Sequence, residues 1–290
     1  MEKGRANRSR RKAQETEPIV PVQLPLWQEK VRALPRMLAR SALFNIGLAS
    51  KRRYFDNEII ASSEGTVIRY RGEELRQRDQ DVFLQLVHLA RGRDPSEGVT
   101  FSAYAMLKEL GWGDSSVAYD RLRDCIDRLK VNSLKIEFDL DGRRIGFSGS
   151  LIRKVSWDEK GAPRGANRTM WTVWLEREIV VLFAPNTYSE LEWAMRTRLR
   201  SEMAKWLMSY IVVSNRTEPI PVHQLKELSG SQSSSMTSFR QQLRKAFKEL
   251  EDVGFCTARV ERDFVYLAEK PGDMINRVRP ALLGRRKGEP

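Results

Sequence analysis

Between Ser234 and Lys248 the sequence gathers hydrogen-bond donors on one side of a helical repeat. Phe239, Leu243, Ala246, Phe247 and Leu250 recur at the spacing of a buried stripe. The other side offers Ser234, Ser235, Thr237, Ser238, Arg240, Gln241, Arg244, Lys245 and Lys248, with no acid before Glu249. Hydroxyls at a helix start bond phosphate alongside free backbone amides, while Arg and Gln pair bidentately with guanine and adenine edges. The chemistry these residues suit is recognition of double-stranded DNA, not bond-making. So long an acid-free, donor-rich face is rarer than the mixed face of an ordinary solvated helix.

A second stretch repeats the pattern less cleanly. Ala118, Leu122, Cys125, Ile126 and Leu129 form its apolar stripe, and Ser115, Ser116, Tyr119, Asp120 and Arg123 lie on the remaining face. Asp120 repels phosphate, so an ordinary solvated face competes with a DNA-reading one. Two candidate hairpins add cations: Arg143 and Arg144 just past one turn, Arg259 and Arg262 flanking the other. Arginines at such tips commonly touch phosphates, and isolated surface arginines are common everywhere.

Catalytic constellations are missing. No Gly-Lys dipeptide occurs, which excludes a Walker A phosphate loop. The two histidines, His88 and His223, are too far apart to be the paired metal ligands of a strand-nicking enzyme; His88 reads as a core residue and His223 as a surface one. Cys125 and Cys256 each sit in an apolar pattern, with no metal-ligand spacing and no disulfide framework. Neither a cofactor, a metal nor an enzymatic activity is expected.

The elements that must position these residues follow from periodicity and punctuation. A helix is predicted over about Gln28 to Arg40 despite Pro35, then a short strand at Val67, Ile68 and Tyr70, and a helix from Glu74 to near Gly92. Next come a short helix, Thr100 to Leu110, closed by Gly111, and a longer one reaching about Lys130. Leu134, Ile136, Phe138 and Leu140 then alternate with polar residues up to Asp141-Gly142, a strong hairpin signal, with Ile145 and Phe147 on the return. A third strand is predicted from Trp171 to Phe183, after a loop at 161–167. The order recurs: helices at Leu191 to Met195 and Ser201 to Tyr210, a short helix Val222 to Leu228 ending at Gly230, a long one Ser234 to Asp252 stopped by Gly254, and strands Phe255 to Val260 and Phe264 to Leu267.

Short helix, turn, second helix and hairpin is the arrangement of a winged helix, whose second helix fits the major groove. The fold class expected is α+β, with two tandem winged-helix domains at 28–185 and 186–270. They are flanked by a flexible basic arm at 1–27 and a basic tail at 271–290.

With 290 residues, 41% of them hydrophobic, the chain is long enough for two cores. Its net charge is +13, of which residues 1–12, with six basic and one acidic, and residues 271–290, with five basic and two acidic, carry the larger part. Such a balance attracts nucleic acid, although a basic tail is more often a solvated arm than a specific reader. No apolar run approaches a membrane span and no signal-peptide core opens the sequence, so a soluble, cytoplasmic protein is expected.

The chain resembles the TrfA family of plasmid replication initiators in Ala39-Arg-Ser-Ala-Leu-Phe44, in Thr100-Phe101 through Leu110-Gly-Trp112, in Glu178-Ile-Val-Val-Leu-Phe-Ala184, and in the Phe239-Arg240 start of the last long helix. The resemblance spans about 23–268. It implies binding to direct repeats, called iterons, in a plasmid origin, melting of an adjacent AT-rich region, and recruitment of host DnaA and DnaB helicase, with single-stranded origin DNA as a further candidate ligand. It also implies a monomer–dimer equilibrium. Gln23-Leu-Pro-Leu-Trp27 is similar to the Gln-Leu-x-Leu-Phe peptide by which bacterial replication proteins bind the sliding clamp, which would make Gln23, Leu24, Leu26 and Trp27 clamp contacts. Read without the family, the same residues are a hydrophobic entry to the first helix. Met236-Thr-Ser238 stands where family members carry lysines, which implies a different iteron sequence. A winged-helix repressor that regulates without initiating replication remains the alternative.

Overall fold

The computed structural model describes residues 23–47, 51–63, 65–140, 142–158, 170–214 and 218–268. The expected basic arm up to residue 22, the tail at 271–290, loop 161–167 and Asp141 lie outside them.

The chain enters as an extended segment and forms β1 (Val31–Pro35), a single helical turn α1 (Arg36–Ala39) and β2 (Phe44–Asn45). A hairpin of β3 (Tyr54–Ser63) and β4 (Thr66–Glu73) precedes β5 (Leu75–Arg76), which leads into α2 (Gln77–Leu89). Next come β6 (Val99–Ser102), α3 (Ala103–Glu109) and α4 (Ser116–Lys130), and then strands β7 (Asn132–Leu140), β8 (Arg143–Gly149), β9 (Ile152–Asp158) and β10 (Met170–Leu175). A 3₁₀ stretch, Arg177–Phe183, connects to β11 (Tyr188–Glu192), α5 (Trp193–Arg198) and α6 (Glu202–Ser214). The described chain closes with β12 (Ile220–Pro221), α7 (Val222–Leu228), α8 (Met236–Asp252), β13 (Thr257–Glu261) and β14 (Phe264–Ala268).

Two units of one design emerge from this order. In the first, α2, β6, α3 and α4 lead to a sheet ordered β6-β10-β9; in the second, α6, β12, α7 and α8 lead to a sheet ordered β12-β14-β13. In both, the strand before the short helix pairs antiparallel with the last strand, which pairs antiparallel with the one before it. The turns between the paired helices match as well. Gly111 at φ +68° and Gly230 at φ +65° occupy the left-handed region that glycine tolerates. Each is followed by an amide that reaches back across the turn, Trp112 to the Leu107 carbonyl and Ser231 to the Lys226 carbonyl. Ser115 and Ser235 then cap α4 and α8, accepting from the amides of Ala118 and Ser238.

The first unit differs by an insertion. β7 and β8 leave the β6-β10-β9 sheet alone and extend β3 and β4 into a four-stranded sheet, β3-β4-β7-β8. The hairpin carrying Arg143 and Arg144, expected as a wing, therefore belongs to a separate sheet, and the position equivalent to β13–β14 is held by β9–β10. β7 and β8 do pair as expected, with Leu140 opposite Arg143. It is the non-local pairing of β6 with β10, Thr100 opposite Thr172, that assigns the other sheet.

Four further expectations are corrected. Residues 31–35 form a strand paired with β11 instead of a helix, Val31 opposite Glu192 and Pro35 opposite Tyr188. Every one of those five residues is buried, and Pro35 is unsuited to a helix interior. The predicted strand 171–183 ends at Leu175, because Ile179–Phe183 coils into the core as a 3₁₀ turn. Part of the segment expected as helix from Leu191 is strand β11. Residues 23–27, expected in the flexible arm, are packed: the Leu24 amide donates to the Arg93 carbonyl at 2.9 Å and its carbonyl accepts from Gly92 at 3.0 Å.

The buried apolar residues of both units form one continuous cluster. α2 lies at its centre, with polar Gln77, Asp79, Gln80, Asp81, Gln85 and His88 buried alongside its leucines. Asp79 is matched by Arg52 and Arg128, Gln85 by Arg32 and His88 by Trp27, all of the first unit, whereas Gln77, Gln80 and Asp81 are matched from the second. Arg196 on α5, 0% exposed, directs its guanidinium at five acceptors: Asp81 at 2.6 Å, Ser209 and the Lys205 carbonyl at 2.9 Å, Gln80 at 2.9 Å and Gln77 at 3.1 Å. Burial opposes the Asp81 charge, but Arg196 and Lys205 beside it prevail and hold its pKa below the ordinary carboxylate value. β11, counted with the second domain on sequence grounds, pairs with β1 of the first, so the units share a sheet as well as a core. No helix among the described residues is long and apolar enough to cross a membrane.

Candidate nucleic-acid interface

α8 buries Phe239, Leu243, Ala246, Phe247 and Leu250, as its period predicts. Ser234, Ser235, Thr237, Gln241, Arg244, Lys245 and Lys248 are exposed, and Ser238 and Arg240 are half-buried. Its first turn holds no acid, so the positive end of the helix dipole faces outward beside these hydroxyls.

The cations on this face have different duties. Arg240 donates from Nε to the Arg262 carbonyl at 2.6 Å and from Nη2 to Asp263 Oδ1 at 2.6 Å, which fastens the β13–β14 turn to the helix. Read from sequence as a base-reading residue, it is engaged as a brace. Arg244 reaches the Val260 carbonyl more loosely at 3.4 Å. Lys248 lies against Glu251 and Asp252, whose bonds raise its pKa. Lys245 has no ion-pair partner among the described residues and, with Gln241, points free. On the hairpin, Arg259 pairs with Glu261 at 2.9 Å and lies over the Tyr266 ring, while Arg262 takes φ +41° at the exposed turn.

The corresponding helix of the first unit has a different surface. On α4, Ser116 and Arg123 are exposed, but so are Asp120, Asp124 and Asp127. Arg123 is paired with Asp120 at 3.1 Å, and the Tyr119 hydroxyl donates to Asp114 at 2.9 Å. Ser115 spends its hydroxyl on the helix cap. The two helices thus differ in how charge is arranged: the start of α8 is donor-rich and free of acids, whereas the exposed side of α4 interleaves Asp120, Asp124 and Asp127 with Arg123 and Lys130. Arg143 and Arg144 lie on neither sheet edge beside these helices; Arg144 donates to the Gly65 carbonyl at 2.5 Å and faces Asp139 and Glu137. The sequence reading missed β9, whose Arg153 and Lys154 are exposed, with Lys154 over the Trp174 ring at 4.6 Å. The adjacent cation pair before Val155 and Trp157 is the signal that marks it.

The segment Gln23–Trp27 splits in two. Gln23 is exposed and Leu26 is 80% exposed, whereas Leu24 and Trp27 are buried. The Trp27 indole stacks on Phe183 at 6.1 Å, and its N–H donates to His88 Nδ1 at 3.0 Å. His88 also meets the exposed Glu29 through Nε2 at 3.1 Å; burial nevertheless dominates and lowers its pKa to about 4, keeping the ring a neutral acceptor. His88 is thus the core residue its context suggested, and His223 is exposed on α7.

Comparison with known proteins bears on this arrangement of paired helices and sheets. The sequence matches the TrfA protein family over residues 10–269. The chain belongs to the TrfA family. It is similar to the plasmid replication initiator protein TrfA of Escherichia coli, at 29% identity over 233 residues, which cover 79% of this chain and 59% of that protein. The chain therefore corresponds to a little under two thirds of the relative's length. In fold, this TrfA-family chain is similar to domains 2 and 3 of RctB. One crystal structure of those domains matches with a TM-score of 0.56 at 14% identity, covering 80% of this chain and 95% of that one; a second matches with a TM-score of 0.52, also at 14% identity, covering 79% and 94%.

Proposed function

We propose that this chain is a non-enzymatic plasmid replication initiator that binds direct repeats in its origin through two winged helices, α3–α4 with β9–β10 and α7–α8 with β13–β14. The observation that carries the reading is the face of α8. Its apolar side is fixed in the core, its first turn carries hydroxyls and no acid, and its free Gln241 and Lys245 flank a hairpin braced by Arg240. A helix so held can enter the major groove while the hairpin follows the backbone. The acids interleaved along the exposed side of α4 make α8 the principal reader and leave the first unit to contact DNA chiefly through its strands. Membership of the TrfA family and the initiator named among its relatives support replication initiation over repression alone.

Melting of the neighbouring AT-rich DNA, contact with host DnaA and DnaB helicase, and exchange between monomer and dimer belong to the same proposal. Clamp binding through Gln23–Trp27 would require Leu24 and Trp27 to leave the core, so it is kept only as a competing state of that segment.

The test is a plasmid that carries the cognate origin repeats without this gene. Supplying the protein in trans should restore replication, and purified protein should shift the repeats in preference to scrambled DNA. Binding without replication would reduce the function to repression; no preference for any origin repeat would remove the reading.

A further inference from the structure

The first unit has β9 and β10 where the second has β13–β14, and the last described pairs of that ladder carry an apolar feature that the fold does not use. Trp157, the penultimate residue of β9, is 62% exposed, and Met170, the first residue of β10, is 43% exposed. A tryptophan left so open forgoes a large gain in burial. It is nonetheless firmly backed: Trp157 lies directly opposite Trp171, the ring centroids are 6.3 Å apart, and Trp171 is buried. The indole is therefore held on a rigid support in the last pairs of the β9–β10 ladder.

What surrounds it narrows the occupant. Arg153 and Lys154 are exposed on the same strand, and Lys154 is held over Trp174. Asp158 is the neighbouring acid, opposite Met170. An exposed apolar pair on a strand that also exposes Arg153 and Lys154 suits a polyanion with apolar gaps, which describes the base steps of a duplex. Proteins that bend DNA from the minor groove use large apolar side chains in this way, partially unstacking one step. The common core holds this hairpin in a fixed relation to α8, so both act on one stretch of DNA.

Resting on the proposed origin binding, the geometry points to Trp157, supported by Trp171 and flanked by Met170, as a wedge that inserts between base pairs of the bound duplex and unstacks that step. The first unit thereby contributes deformation where the second contributes reading. Sequence preference at that step follows from how easily it unstacks, which favours pyrimidine–purine steps such as TA.

The experiment uses the full chain and a duplex containing the origin repeats, with 2-aminopurine placed in turn at each adenine. Wild-type protein should raise the fluorescence at one step. Trp157→Ala should abolish that rise and weaken binding about ten-fold, the scale of one lost base-stacking contact; Trp157→Phe should retain most of both. The side chain is exposed, so thermal unfolding of the variants should match wild type. Unchanged fluorescence and affinity in Trp157→Ala would overturn the wedge, as would wild-type binding with no step unstacked. In both of those outcomes repeat binding persists and the proposed function stands; absence of wild-type binding to any repeat would instead overturn the function on which the wedge rests.

Discussion

Replacing Arg240 with alanine separates bracing from reading. Its guanidinium makes two short bonds, to the Arg262 carbonyl and to Asp263, and the side chain is about one quarter exposed. Asp263 is largely solvated, so the ion pair itself contributes at most about 1 kcal/mol. The bond to the Arg262 carbonyl, charge-assisted and partly shielded, adds roughly 1 kcal/mol more. Arg240→Ala should therefore cost about 1–2 kcal/mol, concentrated in the β13–β14 turn, and appear as faster amide exchange at 260–264. Affinity for the repeats should fall by a comparable amount, because the hairpin is no longer held against the groove. The loss should apply to all sequences alike and leave the salt dependence nearly unchanged. Lys245→Ala supplies the contrast: as a free cation at the phosphates it should lower the slope of log K against log salt by about 0.9 and leave amide exchange alone. Binding titrations at four salt concentrations, with matched and mismatched repeats, decide the matter. If Arg240→Ala relaxes preference at one base pair while the turn exchanges as in wild type, the residue reads bases directly and the bracing argument fails.

Acid should weaken the fold through His88. Burial lowers its pKa from 6.5 to about 4, against the opposing Glu29 bond and with Arg32 and Arg91 reinforcing the decrease. The unfolded chain thus takes up the proton first, and the stability present above pH 6.5 is lost as pH falls towards 4, by about 2 kcal/mol at pH 5. Urea unfolding at pH 7.5 and 5.0 should show that difference, and His88→Gln should flatten it; an equal slope in both proteins would clear His88. Gly230→Ala should destabilise by more than about 2 kcal/mol, because φ is +65° and the new Cβ would lie 2.8 Å from Asn45 Cβ. Gly111→Ala, with its nearest neighbour at 3.5 Å, should cost only the roughly 1 kcal/mol of the left-handed backbone, and equal melting shifts for the two would contradict this. Trp27→Ala should cost about 3–5 kcal/mol while Leu26→Ala stays near zero, as judged by thermal unfolding. A neutral Trp27→Ala would show that the segment is not docked.

Legibility in the sequence followed the range of the forces involved. α7 and α8 are readable because serine, glycine and apolar spacing act within a few residues, and α8 is both capped and strongly two-faced. β1 was misread because Val31–Pro35 is buried on both sides and so shows no alternation. β3 carries register shifts after Phe55 and Ile59 that break the two-residue period. Apolar Ile179–Phe183 has no period to distinguish strand from turn. The assignment of hairpins failed for a different reason: Asp141-Gly142 fixes that β7 pairs with β8, but nothing local states that β6 prefers β10 some 70 residues away. At the interface, residue types were legible and duties were not. Arg240 faces Asp263 only once the hairpin folds back, and the acids of α4 count against it only once they share its exposed side.

The buried guanidinium of Arg196 constrains the ligand as well as the protein. Swinging α5 and α6 away from α2 would strand three of the Arg196 donors and the Asp81 carboxylate without partners, so the two halves act as a calliper of fixed gap. A duplex turns about 35° per base pair. Adding or removing even two base pairs between the halves of a binding sequence would therefore rotate one set of contacts well out of phase, and the permitted spacing on DNA is set by an ion pair that never meets it.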